Sequence, residues 1–114
     1  MLIQIDPAAE TPLFAQIAGQ IRRSIVEQRV GHGERLPPAK ELASSLDVNM
    51  HTVLRAYDVL RAEGLLEVRR GRGVVVSSVG PGRAKLIELA HALVAEAARQ
   101  GLSRRELVKL LEDV

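Results

Sequence analysis

One stretch, Leu46 to Val76, constrains this chain more than any other. It opens with a turn, Leu46-Asp47-Val48-Asn49, and continues as a helix-patterned run from Met50 to Glu63 that stops at Gly64. Leu66, Val68, Val74 and Val76 then alternate on either side of Gly71, as two strands joined by a short turn should. The tip between them, Arg69-Arg70-Gly71-Arg72-Gly73, holds three arginines and two glycines. A polar-capped helix followed by a basic two-stranded ribbon is the layout of a winged helix-turn-helix. Such a unit sets one helix in the major groove of duplex DNA and a charged hairpin on the flanking backbone.

The remaining sequence reads as helices around this unit. Ile3 and Ile5 alternate with polar neighbours, which predicts a short strand or arm. Thr11-Pro12 is a helix start, with Thr11 as cap and proline at the first helical position. Leu13, Ile17, Ile21 and Ile25, with Phe14 and Ala18 beside them, form the apolar stripe of a helix ending near Gln28. Gly31 and Gly33 break it, and Arg35-Leu36-Pro37 makes an extended link. A second helix from about Pro38 to Leu46 buries Leu42, Ala43 and Leu46. The third, capped by Asn49, buries Val53, Tyr57 and Leu60, and Gly64 supplies its left-handed stop.

Ser77-Ser78-Val79-Gly80-Pro81-Gly82 is a linker by composition. Beyond it, Leu86, Ala90, Leu93 and Ala97, with Ile87 and Val94 adjacent, form a broad apolar face on a helix ending before Gly101. Ser103 and Glu106 make a capping box, and Leu102 can staple onto Leu107. The last helix then exposes Leu107, Val108, Leu110 and Leu111. The expected fold is mainly α with a small β-hairpin. A winged helix-turn-helix occupies residues 1–78, and a two-helix C-terminal dimerisation tail occupies residues 79–114.

Composition narrows the function classes. At 114 residues the chain holds one ordinary domain with a small appendage. Only 2% of residues are aromatic, so the core is aliphatic and no stacking platform for single-stranded nucleic acid exists. The absence of cysteine removes disulfides, thiolate metal sites and thiol nucleophiles together. His32, His51 and His91 share no spacing with a carboxylate or serine, so no catalytic residues, metal site or cofactor are expected. The amino terminus lacks the pattern of a signal peptide, and Glu88, His91 and Glu96 interrupt the most apolar run, Leu86–Ala98. A cytoplasmic protein without a membrane partner is expected. Net charge is +2, with 10 basic and 9 acidic residues in 1–78 and 6 and 5 beyond, so charge acts by placement and not by excess.

That placement singles out three elements. The first turns of the third helix point His51, Thr52 and Arg55 to one side, away from Val53, Tyr57 and Leu60. In a major groove this face offers imidazole, hydroxyl and guanidinium groups to base edges and phosphates. The bland alternative is a solvated helix face. Arg70 and Arg72 flank Gly71 at the hairpin tip, where a turn needs the glycines but not the arginines; a phosphate backbone or narrow minor groove suits that shape. Lys40, near the start of the second helix, can reach a phosphate, and Arg35 is a weaker candidate.

Several segments in series carry a family resemblance. Thr11-Pro12-Leu13-Phe14-Ala15-Gln16-Ile17, Arg35-Leu36-Pro37-Pro38-Ala39-Lys40-Glu41-Leu42-Ala43 and Val48-Asn49-Met50-His51-Thr52-Val53 come first. Ala62-Glu63-Gly64-Leu65-Leu66 and Arg70-Gly71-Arg72-Gly73 follow. Together they resemble the GntR family of bacterial transcription regulators over roughly Pro12 to Val76. The short tail and the Asn49…Thr52-Val53…Arg55-Ala56-Tyr57 pattern resemble its YtrA-like branch. The resemblance implies DNA contact at Lys40, at the helix start Asn49, Met50, His51 and Thr52, and at the wing tip, Arg70 and Gly71. Three departures stand out. Lys40 replaces an arginine and loses bidentate geometry, Pro38 replaces the capping serine, and Met50 stands where many members have arginine. Sequence preference therefore shifts towards Arg55.

The expected function is a sequence-specific transcriptional regulator, a repressor, acting as a homodimer on a near-palindromic double-stranded operator. Dimerisation is assigned to Leu86, Ala90, Leu93, Ala97, Leu107, Leu110 and Leu111. Dimer geometry, a small-molecule effector and protein level are three routes to regulation that the sequence leaves open. A winged-helix adaptor for protein partners would want an apolar recognition face, and His51-Thr52-Arg55 is polar.

Overall fold

The computed structural model describes residues 1–114 as five helices and one hairpin. In chain order these are α1 (Leu13–Val26), α2 (Ala39–Leu46), α3 (Met50–Ala62), β1 (Leu66–Arg69), β2 (Gly73–Val76), α4 (Gly80–Arg99) and α5 (Arg104–Glu112). The α1 stripe forms as its spacing requires: Ile17, Ile21 and Ile25 are fully buried. They meet Leu42 and Ala43 of α2, Val53, Ala56, Tyr57 and Leu60 of α3, and Leu66 and Val76 of the hairpin in one aliphatic core. No helix is long and apolar enough to cross a membrane.

Local departures from the sequence reading have identifiable causes. Thr11 does not cap α1: the helix begins after Pro12, no side chain caps it, and the Pro12 carbonyl accepts from Ala15 and Gln16 N–H at 3.0 and 3.1 Å. The helix also stops early, at Val26, and Gln28 reverses the chain with φ 60°. Ile3 and Ile5 lie in an arm without a strand partner. The Gln20 side chain bonds both backbone groups of Gln4, and the Gln16 side chain bonds both of Asp6, so two amides replace a neighbouring strand. Asp47, in the left-handed conformation (φ 54°), closes α2 and starts the turn into α3.

In the hairpin Leu66 faces Val76 and Val68 faces Val74. The link before α2 adds an unforeseen third rung. Leu36 N–H donates to Val74 O at 2.8 Å, Val76 N–H to Glu34 O at 3.0 Å, and Arg35 pairs with Val75. The wing is therefore stitched to the approach of α2, leaving β1 as its free edge, charged at Glu67 and Arg69.

The Ser77–Gly82 stretch is not a slack spacer. Gly80, Pro81 and Gly82 are the first turn of α4, where proline removes an N–H that no helical carbonyl would have accepted. Ser77 Oγ donates to Gly64 O at 2.6 Å, and Ala84 is part of the main core. Further along, Arg23 of α1 holds Glu88 of α4 at 2.7 Å. Partial burial opposes charge on Glu88, but the bonds from Arg23 and then Lys85 prevail and keep its carboxyl below the usual range. At the end of the tail the capping box forms as expected: Ser103 Oγ accepts from Glu106 N–H, and Ser103 N–H donates to the Glu106 carboxylate. Leu107 is buried, not exposed, and so is Ala97; the turn between α4 and α5 covers both within one chain.

A Cβ on Gly80 would stand 2.9 Å from the Leu65 carbonyl oxygen and 3.0 Å from Val76 Cγ1, whereas one on Gly82 meets nothing within 4 Å. Gly80→Ala is expected to destabilise the chain by about 1–3 kcal/mol through overpacking. Gly82→Ala is expected to be neutral or to stabilise it by up to about 1 kcal/mol through helix propensity. Urea melts of the two variants check the opposite signs.

Candidate nucleic-acid interface

The third helix presents His51, Thr52 and Arg55 because its opposite, apolar side is packed into the core. Val53, Ala56, Tyr57 and Leu60, at helical spacing, have at most 3% of their surface exposed, which fixes the rotation of α3 about its axis. Asn49 caps it, its Oδ1 accepting from His51 N–H at 2.7 Å. Tyr57 Oη donates to the Pro37 carbonyl at 2.6 Å and ties the middle of α3 to the link. Burial pushes the Tyr57 phenol up to about 12, so it stays a donor throughout the physiological range. At the far end Glu63 receives Arg22 of α1 through two bonds, Nε at 3.0 Å and Nη2 at 2.9 Å, and His91 Nε2 of α4 lies 2.9 Å from the same carboxylate.

With α3 pinned at these points, Asn49, Met50, His51 and Arg55 are exposed and Thr52 is half-buried. Asn49, His51, Thr52 and Arg55 line an open groove together with Leu13 and Phe14 of α1. The Arg55 guanidinium sits over the Phe14 ring, 3.7 Å from its centroid. Phe14 is absent from the sequence-derived site, and its only advance signal is its place beside the α1 stripe as the single phenylalanine.

The wing tip is a three-residue turn, Arg70-Gly71-Arg72, closed by Arg72 N–H to Arg69 O at 3.0 Å. Gly71 has φ 78° and open space where a Cβ would be, so backbone can come close to a ligand surface there. The three arginines are not equivalent. Arg69 pairs with Glu67 at 2.8 Å, and Arg72 donates to Gly33 O at 3.0 Å. Arg70 has no partner. Arg35, which the sequence ranked low, stands beside the wing: its Nε lies 3.8 Å from the Cβ position of Gly73.

Ion pairing divides the cations sharply. Of the ten basic residues in 1–78, Arg22, Arg23, Arg29, Arg61 and Arg69 have carboxylate partners. The other five, Arg35, Lys40, Arg55, Arg70 and Arg72, have none, and they belong to the link, the start of α2, α3 and the wing. Positive charge left uncompensated on these elements suits a polyanion.

Fold and site together define a winged-helix DNA-binding protein. Residues 13–76 match the bacterial regulatory proteins of the gntR family, and the chain belongs to that family. It is 34% identical over 99 residues to the HTH-type transcriptional repressor YtrA of Bacillus subtilis (strain 168), covering 87% of this chain and 75% of that protein. The solved structure of YtrA from Sulfolobus acidocaldarius, a GntR-family transcription factor, superposes with a TM-score of 0.65 and 35% identity over 97% of this chain and 94% of that one. AraR(DBD), solved in complex with operator ORX1, is 26% identical with a TM-score of 0.58 over 68% of this chain and 95% of that one. The chain spans only 17% and 16% of two larger relatives, so what it shares with them is the winged helix. The protein is thus a GntR-family DNA-binding transcriptional regulator, and its relatives are regulators rather than enzymes.

The ion pairing makes the wing arginines separable. Arg70→Ala should reduce the slope of log K against log salt for duplex DNA by about 1 per protomer. Arg69→Ala, which removes a charge already paired with Glu67, should leave the slope nearly unchanged. Fluorescence anisotropy across a salt series checks the pair, and equal slopes for both variants would count against a phosphate contact at Arg70.

Proposed function

We propose that the protein is a homodimeric repressor that binds a near-palindromic operator. Lys40, Asn49, Met50, His51, Thr52 and Arg55 engage each half-site in and beside the major groove, and Arg70, Gly71 and Arg72 engage the flanking backbone or minor groove. The observation that carries the reading is the set of five cations without carboxylates, Arg35, Lys40, Arg55, Arg70 and Arg72, all on the link, α2, α3 and the wing tip, while the other five basic residues of the winged helix are paired. Operator binding by AraR(DBD), and the repressor name of the Bacillus subtilis relative, support the same direction.

Residues 79–114 serve dimerisation in this reading, although the first turns of α4 also complete the winged helix through Ala84 and the Arg23–Glu88 pair. Leu86, Leu89, Leu93 and Val94 of α4, with Val108, Leu110 and Leu111 of α5, leave large apolar side chains in solvent, and Ala90 is exposed beside them. Nothing in the chain covers this surface. The Cα radius of gyration is 15.2 Å, against about 13 Å for a compact chain near this length, so although α4 packs on α1, the molecule extends towards the end of α4 and α5. A second copy of the same two helices would cover the face and impose a two-fold axis, setting the recognition helices about one DNA turn apart. Ala97 and Leu107 then act inside each protomer, joining α5 to α4, and not across the dimer.

Leu93→Glu combined with Leu110→Glu tests this without uncovering the core. The expected outcome on sizing with light scattering is a monomer that retains its helical circular dichroism and loses at least about tenfold in affinity for a two-half-site duplex. A variant that stays dimeric would overturn the assignment of the tail.

A further inference from the structure

We infer that Phe14 is a positioning residue for sequence readout, holding Arg55 edge-on to the bases; this rests on the operator-binding reading above. Arg55 is exposed on α3, in the groove it shares with Asn49, His51 and Thr52, and it makes no ion pair in the chain. A long arginine side chain in that position has many rotamers, and freezing it on binding costs conformational entropy. Here the guanidinium is already placed, 3.7 Å from the Phe14 ring centroid. Stacking uses the face of the guanidinium and leaves its edge N–H groups free, and the edge is what pairs with O6 and N7 of guanine. The ring can serve as an anchor because Phe14 is half-buried against the main core.

The α1 and α3 helices keep this contact in register. Phe14 meets Arg55 in the amino-terminal halves of the two helices, and Arg22 meets Glu63, the residue that ends α3, eight residues further along each segment. The two helices therefore run in the same sense, and the buried ion pair at one end fixes the ring beneath the arginine at the other. Met50 leaves the position after the helix cap without a cation, so Arg55 is the only cation on α3 in the groove lined by Asn49 and His51. Its orientation thereby governs discrimination between sequences more than total affinity.

The test compares a duplex enriched from a random pool by the unaltered protein with a scrambled duplex of the same composition. Phe14→Leu keeps an apolar side chain against the core but removes the ring face. The expected result is a loss of about two- to five-fold in preference for the enriched duplex, with affinity for the scrambled duplex and its salt slope unchanged. Phe14→Tyr should restore the preference, and Arg55→Lys, which keeps charge but not the planar fork, should reproduce the loss. Placing Phe14→Leu on Arg55→Lys should then add little. An unchanged preference in Phe14→Leu, or an equal loss on both duplexes, would overturn the positioning role while leaving operator binding intact. If the unaltered protein enriches no duplex, the operator reading fails and the role of Phe14 fails with it.

Discussion

Arg22 and Glu63 meet through two charge-assisted hydrogen bonds in a site where their side chains keep only 9% and 15% of their exposure, and the placement of the recognition helix follows from that contact. Such a pair adds little net stability over an apolar substitute, because both charges lose water. Removing one partner alone is severe, about 3–5 kcal/mol, since the other is left buried and uncompensated. Its value is geometric. The pair joins α1 to the end of α3, and His91 brings α4 to the same carboxylate. Tyr57 holds the middle of α3, and Val53, Ala56 and Leu60 are buried in the core, so the helix has no freedom to turn its polar side inward.

The wing depends on a different economy of bonds. A two-stranded hairpin is marginal by itself. This one is completed by the link at Glu34–Leu36, by the Arg72 bond to Gly33, and by Leu66 and Val76 in the core. The same link receives Tyr57 through Pro37, which places wing and recognition helix on a common support. Between them they expose Arg55, Arg70 and Arg72, none of which has a carboxylate partner.

How much of this can be read from the sequence follows the range of each interaction. Helix α3 is legible because its cap, its 3.6-residue period and Gly64 are all local, and the hairpin is legible because strand alternation around a glycine is local too. The contacts that decide orientation are not. Arg22 to Glu63 and Phe14 to Arg55 each span 41 positions, and no periodicity links them. Gly80-Pro81-Gly82 has loop composition, yet it is a helical turn because Gly80 packs against the Leu65 carbonyl, a constraint that only the fold supplies. Ala97 and Leu107 show the same limit: an apolar face announces that it will be covered, but not by which element.

The absence of cysteine from the chain permits a direct measurement of which surface meets DNA. An iron chelate that cleaves the sugar backbone can be tethered to one introduced thiol at a time, at His51→Cys, Arg70→Cys or Glu27→Cys. Glu27 follows the last residue of α1, about 20 Å along the helix from Phe14. The expected result is duplex cleavage from position 51 within the bound sequence, cleavage from position 70 at its flank, and none from position 27. Cuts from position 27, or none from position 51, would contradict a recognition helix held polar side outward against the groove.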